Sequence, residues 1–356
     1  MLRIRLAPMA VATAVAIKQP KRNLSGVLLF DKCRGLSSNQ ALQIVKRLYR
    51  AEKTGHTGTL DPLASGLLPL MFGEATKFAA DLIDASKTYR TTVRLGFCSN
   101  TGDAEGELTQ VSTRDLETIT EDEVKHVCAQ FVGEIQQTPP MFSALKKDGK
   151  PLYEYAREGI ELDRPARTLV IHQLDVIKFE QNGQTGENGC TIELEVNCSK
   201  GTYVRTLGED IAKALGTAGY LTELRRTAIG DLKVERAYTL DALKVLGESE
   251  TPFDALDAVL FPVDALLGSL GKVELNNEFA RRFSHGQRLP LDMVDTKPGR
   301  VRVYGEAPAQ DVNKDVNANL NSKAFKGEPY FMGTGILETD GKGALLRPDR
   351  LIQVNL

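Results

Sequence analysis

Residues 54–69 read T-G-H-T-G-T-L-D-P-L-A-S-G-L-L-P, from Thr54 to Pro69. Three glycines and two prolines in sixteen residues argue against a regular helix or a central strand, because Gly and Pro punctuate both. Leu60, Leu63, Leu67 and Leu68 nevertheless ask for burial. A tightly turned, partly buried loop around one carboxylate, Asp61, has the character of a functional loop. The same letters suit a structural Asp-Pro turn in which Asp61 caps the segment after it. The surroundings have to choose.

Upstream, Gly26-Val-Leu-Leu-Phe30 is a short apolar run that reads as a buried strand. Asp31 to Ser38 then turns, and Ser37 or Ser38 can cap the helix that follows. That helix sets Ala41, Ile44, Val45 and Leu48 on one apolar face. Lys46, Arg47, Arg50 and Lys53 fall largely off it and form a basic rim leading into the Asp61 loop. Such a rim is either a solvated face or a surface for phosphates. Downstream, Gly73-Glu-Ala-Thr-Lys77 opens a short helix ending near Ala85. Lys87 to Leu95 then alternates as a strand, with Tyr89, Thr91, Val93 and Leu95 on one face.

Asn100 to Glu107 is turn-rich and acidic but lacks the full ligand pattern of a calcium loop. Thr120-x-x-Glu123 is a capping box before a helix carrying Val124, Val127, Cys128 and Phe131. Gln137 to Leu145 and Tyr153 to Arg157 mix aromatics with Lys146, Lys147 and Lys150. Thr191 to Cys198 alternates cleanly, with Ile192, Leu194, Val196 and Cys198 inward. It runs into Ser199-Lys-Gly-Thr-Tyr-Val-Arg, a Gly turn starting a helix through Leu215. A strand, a turn and a helix in that order bring side chains to a sheet edge, which makes Tyr203 and Arg205 candidates. Thr251 to Leu267 is a Pro-interrupted connector, and Lys272 to Leu356 is strand- and Gly-rich, the pattern of a small β domain. Glu306 to Pro329 interrupts that domain with few apolar residues, as an inserted mobile loop would.

At 356 residues, 42 % hydrophobic and 26 % charged, the chain suits one large and one small globular domain. A formal charge of −2 hides an asymmetry: residues 1–53 carry eleven Lys and Arg against Asp31 and Glu52. Five cysteines without C-x-x-C spacing and four scattered histidines offer no zinc pattern and suit a reducing cytosol. Arg3 and Arg5 before the apolar run Leu6–Ile17 superficially resemble a signal peptide. The thiol pattern favours a disordered extension over residues 1–22 instead, or an annotated start upstream of the true one, with Met9 available. No apolar run reaches the roughly eighteen residues of a spanning helix.

Assembled, the chain from about Gly26 to Leu356 resembles the bacterial tRNA pseudouridine synthase B (TruB) family. The resemblance rests on the blocks G-V-L-L-F-D-K-C-R-G-L-S-S, G-H-T-G-T-L-D-P-L-A-S-G-L-L-P, G-E-A-T-K, K-T-Y-R, P-P-M-F-S-A-L-K, L-Y-E-Y-A-R-E-G-I, C-S-K-G-T-Y-V-R-T-L and L-R-R-T-A-I-G, in the family's order. It implies an α/β catalytic fold around a mixed, mainly antiparallel sheet (residues 23–268). It also implies a small C-terminal PUA-like β-barrel that binds RNA (269–356), interrupted at about 306–329. The implied activity is isomerisation of the T-loop uridine at tRNA position 55 to pseudouridine, in the cytoplasm, by a monomer without cofactor, metal, membrane or guide RNA. Cys33 stands where the family usually has Pro, and neither the extension nor the insertion has a counterpart.

The resemblance also distributes roles. Asp61 matches the catalytic carboxylate, whether it attacks C1′, attacks C6 or assists removal of a proton at C2′. Arg205 matches its paired cation, which would lower its pKa. Tyr89 matches the aromatic that stacks on the target base and can help remove the C5 proton. Tyr203 and Leu224 match walls of the uracil pocket, and Lys77 a supporting cation near the site. His56 matches the residue that fills the space left by a flipped nucleotide. A non-catalytic tRNA-binding or tRNA-folding protein on the same scaffold is the competing expectation, and intact Asp61, Tyr89 and Arg205 weigh against it.

Overall fold

The computed structural model describes residues 20–111, 113–181, 189–292, 296–306, 329–339 and 343–353. The readings of residues 1–19, of the insertion at 307–328 and of the turn at 340–342 lie outside the described residues.

Among the described residues, ten strands form the main sheet. In chain order they are β1 (Gly26–Lys32), β2 (Thr54–His56), β3 (Ser65–Phe72), β4 (Lys87–Leu95), β5 (Gly133–Gln137), β6 (Arg167–Gln181), β7 (Cys190–Cys198), β8 (Gly219–Ile229), β9 (Leu232–Lys233) and β10 (Tyr238–Thr239). The spatial order is β10-β1-β3-β8-β4-β7-β6-β5, with β2 on β3 and β9 on β8. Only the β1–β10 and β3–β8 pairs are parallel, so the sheet is mixed and mainly antiparallel. The β7 alternation is as read, each odd position from Cys190 to Cys198 turned aside from a run of buried ones.

One expectation fails inside the 54–69 stretch. Ser65 to Pro69 belongs to a central strand, paired with β1 from Gly66 to Phe72. On its other side β3 meets β8 only at Ser65 and Gly66, and β2 only at Leu70 to Phe72. Pro69 falls between those two ladders, with its carbonyl turned to Thr57 N–H at 3.4 Å. Its missing N–H faces that same gap, so β1 loses no hydrogen bond and the strand tolerates the proline.

Helices α1 (Ser38–Leu48), α2 (Glu121–Ala129), α3 (Leu152–Arg157) and α4 (Val204–Ala214) follow their sequence signals. Ser37, rather than Ser38, caps α1 in a full capping box with Gln40. At α2 only half of the expected box forms. Thr120 accepts from Glu123 N, but the Glu123 carboxylate pairs with Arg114 at 2.6 Å rather than reaching back. α1, α2 and α4 bury one face of the sheet through Leu28, Phe30, Val93, Leu194, Leu207 and their neighbours.

The C-terminal region is a curled five-stranded half-barrel of β11 (Gly271–Leu275), β12 (Leu289–Leu291), β13 (Gly299–Gly305), β14 (Tyr330–Thr339) and β15 (Ala344–Leu351). Its order is β11-β13-β14-β15-β12. Tyr304, Phe331 and Ile352 of this region share one buried cluster with Val27, Leu29, Met71, Phe78 and Leu267. The two sheets are therefore packed on each other. No helix among the described residues is long and apolar enough to cross a membrane.

Candidate active site

Asp61 lies between β2 and β3 in a loop anchored on several sides. Leu60, Leu63, Leu67 and Leu68 are all buried, as the sequence requires. Ser38, freed from capping, donates to Leu60 O at 2.9 Å and accepts from Leu60 N at 2.8 Å. Ala64 N closes a turn onto Asp61 O at 3.0 Å, with Pro62 at the position where its fixed φ suits a turn. The fully buried Lys32 ammonium donates to Leu36 O at 2.6 Å and Cys33 O at 3.0 Å and reaches Pro62 O at 3.5 Å. Arg226, also fully buried, donates to Gly58 O at 2.7 Å and Leu67 O at 2.8 Å. Gly66 has φ +100° and a Cβ there would stand 2.2 Å from Arg226 O, so only glycine lets β3 leave the loop at this angle.

This scaffold presents the Asp61 carboxylate, 41 % exposed, to a buried cation: Arg205 Nη2 lies 3.0 Å from Asp61 Oδ2. The turn Ser199–Tyr203 starts α4 so that Arg205, in its first turn, points back at the loop. Its guanidinium cannot swing away. Nη1 donates to Thr101 O and Nη2 to Phe142 O, each at 2.7 Å. At its other terminal nitrogen stands the buried Asp103, with Oδ2 3.7 Å from Nη1. Asp103 is itself fixed by Thr101 Oγ1 at 2.7 Å and Glu105 N at 3.0 Å.

Arg205 was expected to hold the Asp61 carboxyl below its ordinary range. The pull exists, but burial outweighs it and Asp103 adds to the upward push, so the Asp61 carboxyl sits above its ordinary value. An ionised carboxylate with one side on a fixed guanidinium and the other open is a nucleophile or base of restrained direction.

Tyr89 on β4 lies across the ladder from Arg226, whose guanidinium approaches its hydroxyl. Burial pushes the Tyr89 and Tyr203 phenols up, so both stay protonated at neutral pH and present flat apolar rings. Tyr203 is set by a buried Gln137 that accepts from its N–H at 2.8 Å and donates to its carbonyl at 3.1 Å. Leu224 lines a cleft of about 380 Å³ with Leu63, Thr91, Ser65 and Arg34, directly beside the Asp61 loop. His56 ends β2; burial first, then Arg226, holds its imidazole below its ordinary pKa and neutral. Its Nδ1 is buried with no hydrogen-bond partner among the described residues.

Lys77 is placed elsewhere. Its ammonium pairs with Glu74 at 2.7 Å and donates to Leu351 O at 2.9 Å, so it joins the two sheets instead of supporting Asp61. The lysine whose charge reaches Asp61 is Lys32. Sequence reasoning missed Lys32, Asp103, Gln137 and Arg226. Lys32 and Arg226 stand in quoted blocks as plain cations, and nothing in the sequence says they are buried. Asp103 sits in a loop whose acidic run looks solvated.

Solved structures share this fold. The chain superposes on the solved Cbf5–Nop10–Gar1 complex with TM-score 0.64 at 24 % identity, over 92 % of this chain and 84 % of that one. An archaeal box H/ACA Nop10–Cbf5 complex gives 0.61 at 21 %, over 93 % and 86 %. At such identities the likeness concerns the fold alone, which is that of the pseudouridine synthases. Residues 46–204 match the TruB family pseudouridylate synthase N-terminal domain, and 205–268 the tRNA pseudouridylate synthase B C-terminal domain. A tRNA pseudouridine synthase B of Ralstonia pickettii is 50 % identical over 95 % of this chain and 97 % of its own length. One from Burkholderia mallei is 53 % identical over 81 % and 89 %. The chain belongs to the TruB family.

Proposed function

We propose that this chain is a tRNA pseudouridine synthase that isomerises the T-loop uridine at position 55, with Asp61 as its catalytic carboxylate. It is an isomerase by the family to which it belongs. The observation that carries the residue assignment is the Asp61–Arg205 pair, a half-exposed carboxylate 3.0 Å from an almost fully buried guanidinium.

The reaction breaks the N-glycosidic bond, turns the uracil and rejoins it through C5. Asp61 serves as the group that splits this exchange into two steps, and Arg205 holds it in direction. A target uridine inside a folded T-loop has to leave the stack to reach Asp61. Tyr89 stacks on the extruded base, Tyr203 and Leu224 wall the pocket, and His56, neutral and apolar enough to stack, occupies the vacated space. The protonated Tyr89 phenol suits stacking better than direct proton removal.

Residues 23–268 carry the chemistry and 269–356 contact RNA, while the basic rim of α1 meets phosphates. The site works on a T-arm stem-loop, as a cytoplasmic monomer, without cofactor or guide RNA. The relatives at about half identity are named as tRNA enzymes, whereas the complexes with other proteins are matched only at fold level. A purely tRNA-folding role would need no carboxylate fixed against a buried arginine.

The test is incubation of the purified chain, in chelator, with a synthetic T-arm stem-loop and with the same RNA carrying cytidine at the target. Pseudouridine at position 55 of the first RNA alone is expected. RNA binding without product would move the assignment to the tRNA-folding reading.

A further inference from the structure

Arg226 is a buried charge without a counter-charge. It is 1 % exposed on the central strand β8, and among the described residues no carboxylate pairs with it. A buried guanidinium left without a carboxylate costs more than an apolar side chain of the same volume would. What it holds instead is the Asp61 loop, from both ends. Nη2 donates to Gly58 O before Asp61 at 2.7 Å, and Nε to Leu67 O after it at 2.8 Å. The planar fork of a guanidinium suits two acceptors at a set separation. The fit is close on both sides of the loop: a Cβ on Gly58 would stand 3.1 Å from Nη1, and one on Gly66 2.9 Å from Arg226 N. Tyr89 lies directly across the β8–β4 ladder, so its side chain and that of Arg226 rise from one face of the sheet. The guanidinium can only donate, so the Tyr89 oxygen accepts from it and the phenol proton turns away from Arg226.

We propose that Arg226 is a positioning residue that ties the Asp61 loop to the Tyr89 ring, so that the carboxylate and the stacked base keep one fixed relation through the reaction. The inference rests on the reading of Asp61 as the catalytic carboxylate and Tyr89 as the stacking ring. Arg205 fixes the direction of the Asp61 carboxylate from α4. Arg226 does something different: it fixes the loop that carries Asp61 to the strands that carry Tyr89. The uracil has to turn between these two groups, and a displacement of about 1 Å between them is enough to cost about a hundredfold in rate. Lysine at this position would keep the charge and lose the fork, which separates the two contributions.

The experiment is single-turnover pseudouridine formation on saturating T-arm stem-loop, followed across the acid side of neutral pH. The proteins are wild type, Arg226→Lys, Tyr89→Phe, the double variant and Asp61→Asn, each also measured for RNA affinity and urea unfolding. Arg226→Lys is expected to slow the folded protein by roughly tenfold to a hundredfold, with RNA affinity unchanged and the acid limb of the rate unmoved. A packing role alone would lower the urea midpoint and leave the rate of the folded protein at the wild-type value, which overturns the proposal. The double variant is expected to lose less than the product of the two single losses, because either substitution breaks the same link. Losses that multiply overturn the tie to Tyr89. An acid limb displaced by Arg226→Lys would make Arg226 an electrostatic partner of Asp61 and overturn the positioning role equally. If Arg226→Lys does not fold, Gly58→Ala takes its place, since it presses a methyl group against Nη1 with Arg226 intact. A wild-type rate in that variant overturns the proposal. Loss of product in Asp61→Asn checks the underlying reading separately. Product persisting there removes that reading, whatever Arg226 does.

Discussion

Asp61 is caught between burial, which disfavours its charge, and Arg205, which favours it. Burial prevails, so the ionised form that attacks becomes dominant only above the ordinary carboxyl value of about 3.9. The rate should therefore rise with pH along an acid limb displaced upward from that value. Asp103 adds to the displacement, and Asp103→Asn is expected to move the limb of kcat/KM to lower pH while kcat falls, because Arg205 loses its second carboxylate. A limb that stays in place would show that Asp103 does not act on Asp61. Most of this was invisible in the chain. Asp61, Tyr203 and Arg205 could be found from turns and blocks. Asp103 and Lys32 owe their roles to burial, which arises from packing across long sequence distances.

At the scale of elements, the two serines before α1 look interchangeable and are not. Ser37 caps the helix, and Ser38 holds Leu60 by two hydrogen bonds from a buried position. Ser37→Ala should cost about 1 kcal/mol of stability and leave kcat alone. Ser38→Ala should cost about 1–3 kcal/mol and lower kcat, because the Asp61 loop loses a fixed point. Urea titration and turnover of the two variants separate these outcomes, and equal effects on kcat would contradict the division. Legibility differed here for physical reasons. The alternation of β7 was plain because one face of that strand is buried throughout. The strand character of Ser65–Pro69 was hidden because Pro69 uses a gap between two partial ladders, a feature of sheet topology rather than of local sequence. Lys77 was misplaced for a similar reason, since its partner Leu351 is 274 residues away.

At the scale of the whole molecule, the C-terminal half-barrel closes the apolar side of β1 and β3. Phe78 meets Phe331 at 5.7 Å between ring centroids, and Tyr304 meets Phe331 at 5.5 Å. Arg300 pairs with Asp81 and, at 2.7 Å, with Asp349, while Arg350 lies 3.9 Å from Asp81. Each large side chain uncovered here costs about 1.5–3 kcal/mol. The full chain is expected to unfold in one urea transition, and a chain ending at residue 268 to unfold at a clearly lower midpoint or to aggregate. An unchanged midpoint after truncation would contradict the shared core.

The central claim is that the Asp61 carboxylate, held by Arg205, performs the isomerisation. Its most direct test is single-turnover pseudouridine formation on a T-arm stem-loop with Asp61→Asn, run beside a binding measurement on the same RNA. The predicted result is retained binding with no product, because the amide keeps the shape of the loop but cannot act as the carboxylate. Product from Asp61→Asn would contradict the claim and place the chemistry on another residue.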